Sequence, residues 1–541
     1  MKKQVYNPFL PIYECVPDGE PHVFGDRVYL YGSHDKEGGE TFCMLDYTTY
    51  SAPVTDLSDW RCEGTIYRAD QDPAYPTDRK FMYAPDVVQG NDGRFYLYYC
   101  MSGRAGFGGY NGPISVAVSD SPAGPFRYLG FVHYPDGSPM LNYVCFDPGV
   151  INDDGTIRIY YGTWSDEALD KDFQNHEEAI QTVMQRYHKS RNEVLQTEGS
   201  VMGPCTVTVG DDMLTVTSEP RHIIPAYTIG TSFEEHPFFE ASSIRKIGGK
   251  YYFIYSSWQN HELCYATSDL PDRDFVFGGT IVSNGDVGYH GRSEKDRLNM
   301  TGTTHGSIEC INGQWYVFYH RLTHKSDYSR QACAEPITIL PDGSIPQVEI
   351  TSCGLNGKPL HGAGTYPAVI ACNLTNGPMP HGSNSVFQIS FPNVTHKGQE
   401  RFIAEIEDNT LIGYKYFECR SVKQFGITYR METEKNRVIF DGRYRTDIRS
   451  QDDENFANTY SAEKQKALTE SVNLNRSTEN YFSICCDTPN AEVGRLVLDD
   501  VEDWKTIITS VNIPDGIHAF YLVYHGQKKI QLMELLFHQS M

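Results

Sequence analysis

Five times along the chain, an acidic residue or a histidine leads a short apolar stretch, a turn, and a second stretch of alternating aromatic and polar residues. The copies are DGEPHVFGDRVYLYGS from Asp18, DVVQGNDGRFYLYYC from Asp86, DPGVINDDGTIRIYYGT from Asp147, EASSIRKIGGKYYFIYSS from Glu240 and HGSIECINGQWYVFYHR from His305. Alternation with a period of two, broken by Gly, Asp or Asn residues that tolerate positive φ, predicts a β-hairpin in each copy. Two further runs, ISVAVSDSPAGPF (114–126) and LCYATSDLPDRDF (263–275), resemble one another and fit outer strands. The leading residues are 68, 61, 93 and 65 positions apart. Four-stranded propeller blades span about 40–50 residues, and insertions lengthen them. The pattern predicts an all-β fold, with a five-bladed β-propeller over residues 1–355. The long third interval holds DEALDKDFQNHEEAIQTVMQRYHKSRNE, the most helix-like stretch, expected as an insertion at the rim.

Beyond the fifth copy the texture changes. Residues 356–395 are rich in Gly, Pro and Asn and read as an ordered connector. From 396 to 541 come short β-like runs: RFIAEIED, FGITYRME, NYFSICCD, GRLVLDDVEDW, GIHAFYLVYHG and KIQLMELLF. Their spacing predicts a β-sandwich of jelly-roll-like type. The polar stretch 450–477 reads as a surface loop. Two units also suit a chain of 541 residues, because single cores stop growing beyond about 250–300 residues.

Charge narrows the function classes. Lys and Arg number 46 against 70 Asp and Glu, a formal net charge of −24. Nucleic acid requires a basic stripe, and an anionic membrane surface repels such a chain, so neither is expected as a partner. A neutral glycan is not repelled. No run approaches the roughly 18–20 apolar residues of a membrane span. The opening MKKQVYNPFLPIYECVPDGE has no apolar core of a secretory signal. The 14 cysteines show no CxxC spacing. Free thiols in a reducing cytoplasm are the expectation, although an even count also suits a disulfide-bonded exported protein.

If the five hairpins surround one axis, their leading residues become neighbours. Asp18, Asp86, Asp147, Glu240 and His305 then form a ring of carboxylates with one imidazole. Glycosidic bond hydrolysis needs such a set: one protonated carboxyl for the leaving oxygen, and one ionised carboxylate for water or direct attack. A third carboxylate raises the acid's pKa by repulsion. Each residue alone also reads as turn chemistry or a structural histidine; the repeated position is what distinguishes them. Glu240, between HPFF and ASSI, is the hardest to assign to a turn, because an apolar setting penalises a lone carboxylate.

On these residues the sequence resembles glycoside hydrolase family 43. The likeness rests on NPFLP and PDGEPHVF around Asp18, YAPDV around Asp86, FDPGVINDDG around Asp147, FFEASSIRKIGGKYYFIYSS around Glu240 and THGSIECINGQWYVFYHR around His305. It implies an inverting enzyme that releases terminal α-L-arabinofuranose or β-D-xylose from hemicellulose-derived oligosaccharides and needs no cofactor. By resemblance, Asp18 is the general base, Asp147 tunes the acid's pKa and Glu240 is the general acid. Asp86, Tyr83, Arg330 and His305 are expected to bind substrate. His305 is also the histidine expected to face a structural calcium ion through water. Tyr83 stands where many members carry Trp, Gly19 replaces the usual Pro, and the Gly-Arg-Glu pattern around Arg330 is incomplete. The C-terminal part resembles carbohydrate-binding module family 6 around Trp504 and the Gly516–Tyr521 run. Two other readings remain at this point: an endo-acting arabinanase-type hydrolase, and a propeller that binds glycan without cleaving it.

Overall fold

A computed structural model gives the fold. It describes residues 3–539 except 40, 74–80, 102–112, 142–143, most of 164–202, 226–227, 383–389 and 439–478. The polar stretch 450–477 therefore lies outside the described residues. Within the third interval, Glu177, Ile180, Gln181 and Met184 are helical. No helix among the described residues is long and apolar enough to cross a membrane.

The chain is all-β. Each of the five hairpins opens its own antiparallel sheet, four of them four-stranded and the last three-stranded. Their first strands are Glu20–Phe24, Asp86–Gln89, Gly149–Asp153, Phe238–Ile247 and Ser307–Ile311. Each first strand touches the next one along the chain, and the fifth touches the first. The N-terminal segment completes the closure. Phe9 donates its N–H to Ala332 O at 3.1 Å, and Asn7 bonds Ala334 on the outer strand of the fifth sheet. Apolar clusters fill the spaces between successive sheets: Val88, Tyr98 and Val116 of the second pack with Ile157 and Val207 of the third. The alternation seen in the sequence thus buries one side of every strand against a neighbouring sheet.

The remaining strands form two six-stranded sheets that share one core, with Phe417, Phe482 and Phe520 on one face and Ile403, Phe425 and Leu535 on the other. The stretch 356–395 does not behave as a connector. Leu360–His361, Gly364–Pro367 and Asn373–Thr375 are strands of these two sheets. Its Gly and Pro residues mark short edge strands and turns rather than a spacer.

Candidate active site

Asp18, Asp147 and His305 each lie two residues before an innermost strand begins. Asp18 and Asp147 both adopt left-handed backbone, φ 58° and 45°. Asp tolerates that region better than most residues, and the tight entry turns both side chains toward the same space. His305 Nδ1 stands 3.8 Å from Asp18 Oδ1 and 3.6 Å from Asp147 Oδ2. Residues 18, 147 and 305 are thus brought together from three sheets.

Glu240 arrives by a different route. Its strand loses register with Lys250–Ser257 between Phe238 and Glu240, and again between Glu240 and Ser243. This is a β-bulge, which re-aims a side chain and sharpens the twist. Ala241, at φ 72°, carries the strain, and its N–H reaches Asp147 Oδ2 at 3.1 Å. The Glu240 charge acts on Asp147, so the bulge delivers it to the same cluster.

Asp86 does not join them. Seven residues separate Asp18 from the turn at Gly25, Asp147 from Asp154 and His305 from Asn312, but only five separate Asp86 from Asn91. Ala84 occupies the equivalent position, and Asp86 lies one rung deeper. It is completely buried. Its Oδ1 meets His22 Nε2 at 2.6 Å and the Val87 N–H at 2.7 Å; its Oδ2 takes the Val150 N–H at 2.7 Å. The expected substrate contact is thus replaced by a structural one, tying the second sheet to its neighbours. Tyr83 stays half-buried near the cluster, packed against Phe146 with ring centres 5.6 Å apart.

Three residues that the hairpin pattern does not single out, Asp35, Phe42 and His320, meet Arg330 or Asp18. Arg330 donates to Asp18 Oδ1 at 2.8 Å and grips both oxygens of Asp35, at 2.9 and 3.0 Å. The guanidinium lies 4.7 Å over the Phe42 ring. Arg330 is buried, and three of its N–H groups bond these two carboxylates, so in this structure its contact is with Asp18 itself. His320 Nε2 lies 2.9 Å from Thr303 O, and its Nδ1 takes the Asp18 N–H at 3.2 Å. This is the pattern of a neutral ring that fixes the Asp18 backbone.

The electrostatics separate the carboxylates. Burial pushes the Asp18 pKa up, but the Arg330 guanidinium, His320 and His305 together outweigh it and hold Asp18 well below the usual carboxylate range. Asp147 moves the other way: burial, then repulsion from Glu240 and Asp18, raise it well above its ordinary value. Repulsion is mutual, so Asp147 and Glu240 favour holding one proton between them. Burial lowers His305 to about 4, which leaves it neutral at pH 7.

The residues around His305 offer no direct set of ligands for calcium. None of the groupings of His, Cys, Asp and Glu close enough to share an ion among the described residues includes it. On the rung beneath, the cation is a guanidinium: Arg245 bonds Glu20 Oε2 at 3.1 Å and lies 3.8 Å from Glu309.

The description "Glycosyl hydrolases family 43" matches residues 7–206. A xylosidase/arabinosidase of Thermoclostridium stercorarium is 39% identical across 98% of both chains. The chain belongs to glycosyl hydrolase family 43. A xylosidase/arabinosidase of Bacteroides ovatus is 31% identical over 57% of this chain and 86% of its own length. The family 43 enzyme of Xanthomonas citri, solved with xylose, is 25% identical over 64% of this chain and 94% of its own, with a TM-score of 0.48. As a member of family 43, the protein is a glycosidase that hydrolyses O-glycosyl bonds. Trp504 is half-buried: Arg430 lies 4.0 Å over its ring and Phe402 packs against it at 5.4 Å.

Proposed function

We propose that this family 43 enzyme is an inverting exo-hydrolase that releases terminal α-L-arabinofuranose or β-D-xylose from hemicellulose-derived oligosaccharides. The observation that carries the reading is the opposite tuning of two neighbouring carboxylates: Arg330, His320 and His305 hold Asp18 ionised, while burial and mutual repulsion leave Asp147 and Glu240 sharing one proton, which Glu240 carries in the reaction. In the proposed reaction, Glu240 protonates the departing oxygen. Asp18 takes a proton from a water on the opposite face of the sugar, and that water attacks the anomeric carbon. Asp147 repels negative charge from Glu240 and so keeps a proton there; Ala241 N–H fixes its orientation. His305, neutral between Asp18 and Asp147, lines the reacting space. Inversion requires room for that water, with the two carboxyls about 6.5–9.5 Å apart.

The names of the two xylosidase/arabinosidase relatives support a substrate ending in xylose or arabinose. We read the five contacting sheets as a five-bladed β-propeller and the two six-stranded sheets as a β-sandwich, which begins near Leu360. The fourteen cysteines are free thiols, which suits action in a reducing cytoplasm. A panel of p-nitrophenyl glycosides tests the substrate, and Glu240→Gln tests the acid. The variant is expected to lose most activity on xylo-oligosaccharides and much less on aryl glycosides, whose leaving group needs little protonation. Undiminished hydrolysis of the oligosaccharides removes Glu240 from the role.

A further inference from the structure

The segment between strands Arg27–Tyr31 and Tyr47–Pro53 carries more than the Asp35 grip on Arg330. Two residues after Asp35, Glu37 turns toward the C-terminal sheets. Its Oε2 accepts from Arg401 Nη2 at 2.7 Å, and its Oε1 faces Arg401 Nε at 3.4 Å, His324 Nε2 at 3.3 Å and His396 Nδ1 at 3.4 Å. Arg401 and His396 belong to strands Glu400–Ile406 and Asn393–Lys397 of the second unit. His324 opens the segment that ends at Arg330. That segment is held by the same edge: Val394 donates its N–H to Thr323 O at 2.9 Å, and Lys325 pairs with Glu405 at 2.7 Å. Gly38 N–H closes the square on Ser329 Oγ at 2.8 Å.

Both segments that meet at the Asp35–Arg330 couple are therefore fastened to one strand pair of the C-terminal unit. Glu37, Arg401 and His324 are each largely shielded from solvent. A clamp of this kind would be superfluous for a module that only tethers the enzyme to a polysaccharide. We propose that Arg401 is a positioning residue of the hydrolase: through Glu37 it holds the Asp35–Arg330 couple against Asp18, so the C-terminal unit is a working part of the active site. This rests on Asp18 being the base.

The chain of contacts is Arg401 to Glu37, two residues of backbone to Asp35, then Arg330, then Asp18. Displacing catalytic groups by about 1 Å costs up to about 100-fold in rate. Loosening at one end of this chain is expected to cost on the order of 10-fold in kcat, with a smaller effect on KM. It also weakens the Arg330 hold on Asp18. The acidic limb of kcat/KM, which reports the free-enzyme base, then moves to higher pH. The groups facing Asp18 are Arg330, His320, His305 and Asp147; those facing Glu37 are Arg401, His324 and His396.

The test uses the full chain. Arg401→Met and Glu37→Gln each cut the link, and Arg401→Lys keeps a cation. Lys415→Met removes a different contact between the two units, the 2.7 Å pair with Glu349, which does not touch this segment. Arg401→Met and Glu37→Gln are expected to lower kcat and shift the acidic limb upward, with substantial recovery in Arg401→Lys. Lys415→Met is expected to lower the unfolding midpoint and leave the limb in place. If Arg401→Met fails to fold, Glu37→Gln reads the same link. An unmoved limb in both cutting variants, or an equal movement in Lys415→Met, overturns the proposal. Asp18→Asn separates the two layers: if it stays active, the base assignment fails, whereas its inactivity beside unaffected Arg401 variants sinks only the positioning role.

Discussion

Replacing Arg330 with Met asks what keeps Asp18 ionised. Arg330 gives Asp18 a hydrogen bond of 2.8 Å and holds Asp35 through two more, all of them buried. A hydrogen bond involving a charged group contributes about 1.5–3 kcal/mol, and one pKa unit corresponds to about 1.36 kcal/mol. Loss of the contact should raise the Asp18 pKa by about one to two units. The base must be ionised, so activity is present above its pKa and lost as pH falls through it. The acidic limb of kcat/KM therefore moves upward by that amount. The same substitution leaves the Asp35 carboxylate buried without its cation, which costs about 3–5 kcal/mol of stability. The pair Arg330→Met/Asp35→Asn separates the two effects, because Asn removes the stranded charge yet still accepts the Cys43 N–H that Asp35 takes at 2.9 Å. Initial rates on an aryl glycoside across the pH range, read beside thermal unfolding, make the comparison. The double variant is expected to recover most of the midpoint while keeping the shifted limb. A folded double variant with the wild-type limb refutes the reasoning.

Other consequences can be measured separately. Burial and then the nearby Asp86 push Glu20 from 4.5 up to about 8, against Arg245 and Ser243. The unfolded chain releases this proton first, so stability is expected to fall as pH rises between those values. Glu20→Gln, neutral throughout, should flatten that fall in a pH series of unfolding midpoints; an identical slope contradicts it. Ala241→Val forces a β-branched residue to φ 72° and is expected to cost about 1–3 kcal/mol and much of kcat. Ala241→Gly should stay near wild type in both calorimetry and rate. Trp504→Ala removes the ring under Arg430 and is expected to cost about 3 kcal/mol, with unchanged migration in xylan affinity gels; weakened xylan binding would show that the ring meets glycan.

Much of this was legible along the chain. The five hairpins declare themselves by alternation and turn residues, because a strand packed on one face must alternate. Asp18, Asp147 and His305 share one distance to their turns, which is why they meet. The same count exposes Asp86 as two residues out of step, a signal present in the sequence but hidden by its identity as an acidic residue. Glu240 is one residue out of step in the other direction, and the bulge absorbs the difference. Asp35, Phe42 and His320 could not be read this way. Their importance comes from tertiary contacts to Asp18 and Arg330 that no periodicity records. The stretch 356–395 misled for a related reason: short edge strands bounded by Gly and Pro look like a linker until the sheets they complete are seen.

The central claim is a single displacement with Asp18 as base and Glu240 as acid. Proton NMR during the first turnovers of a β-D-xyloside tests it most directly. With Asp18 as base and Glu240 as acid, α-D-xylose appears first and the β anomer grows only by mutarotation. β-D-Xylose as the first-formed sugar would contradict it, because retention requires a covalent intermediate on one of these carboxylates.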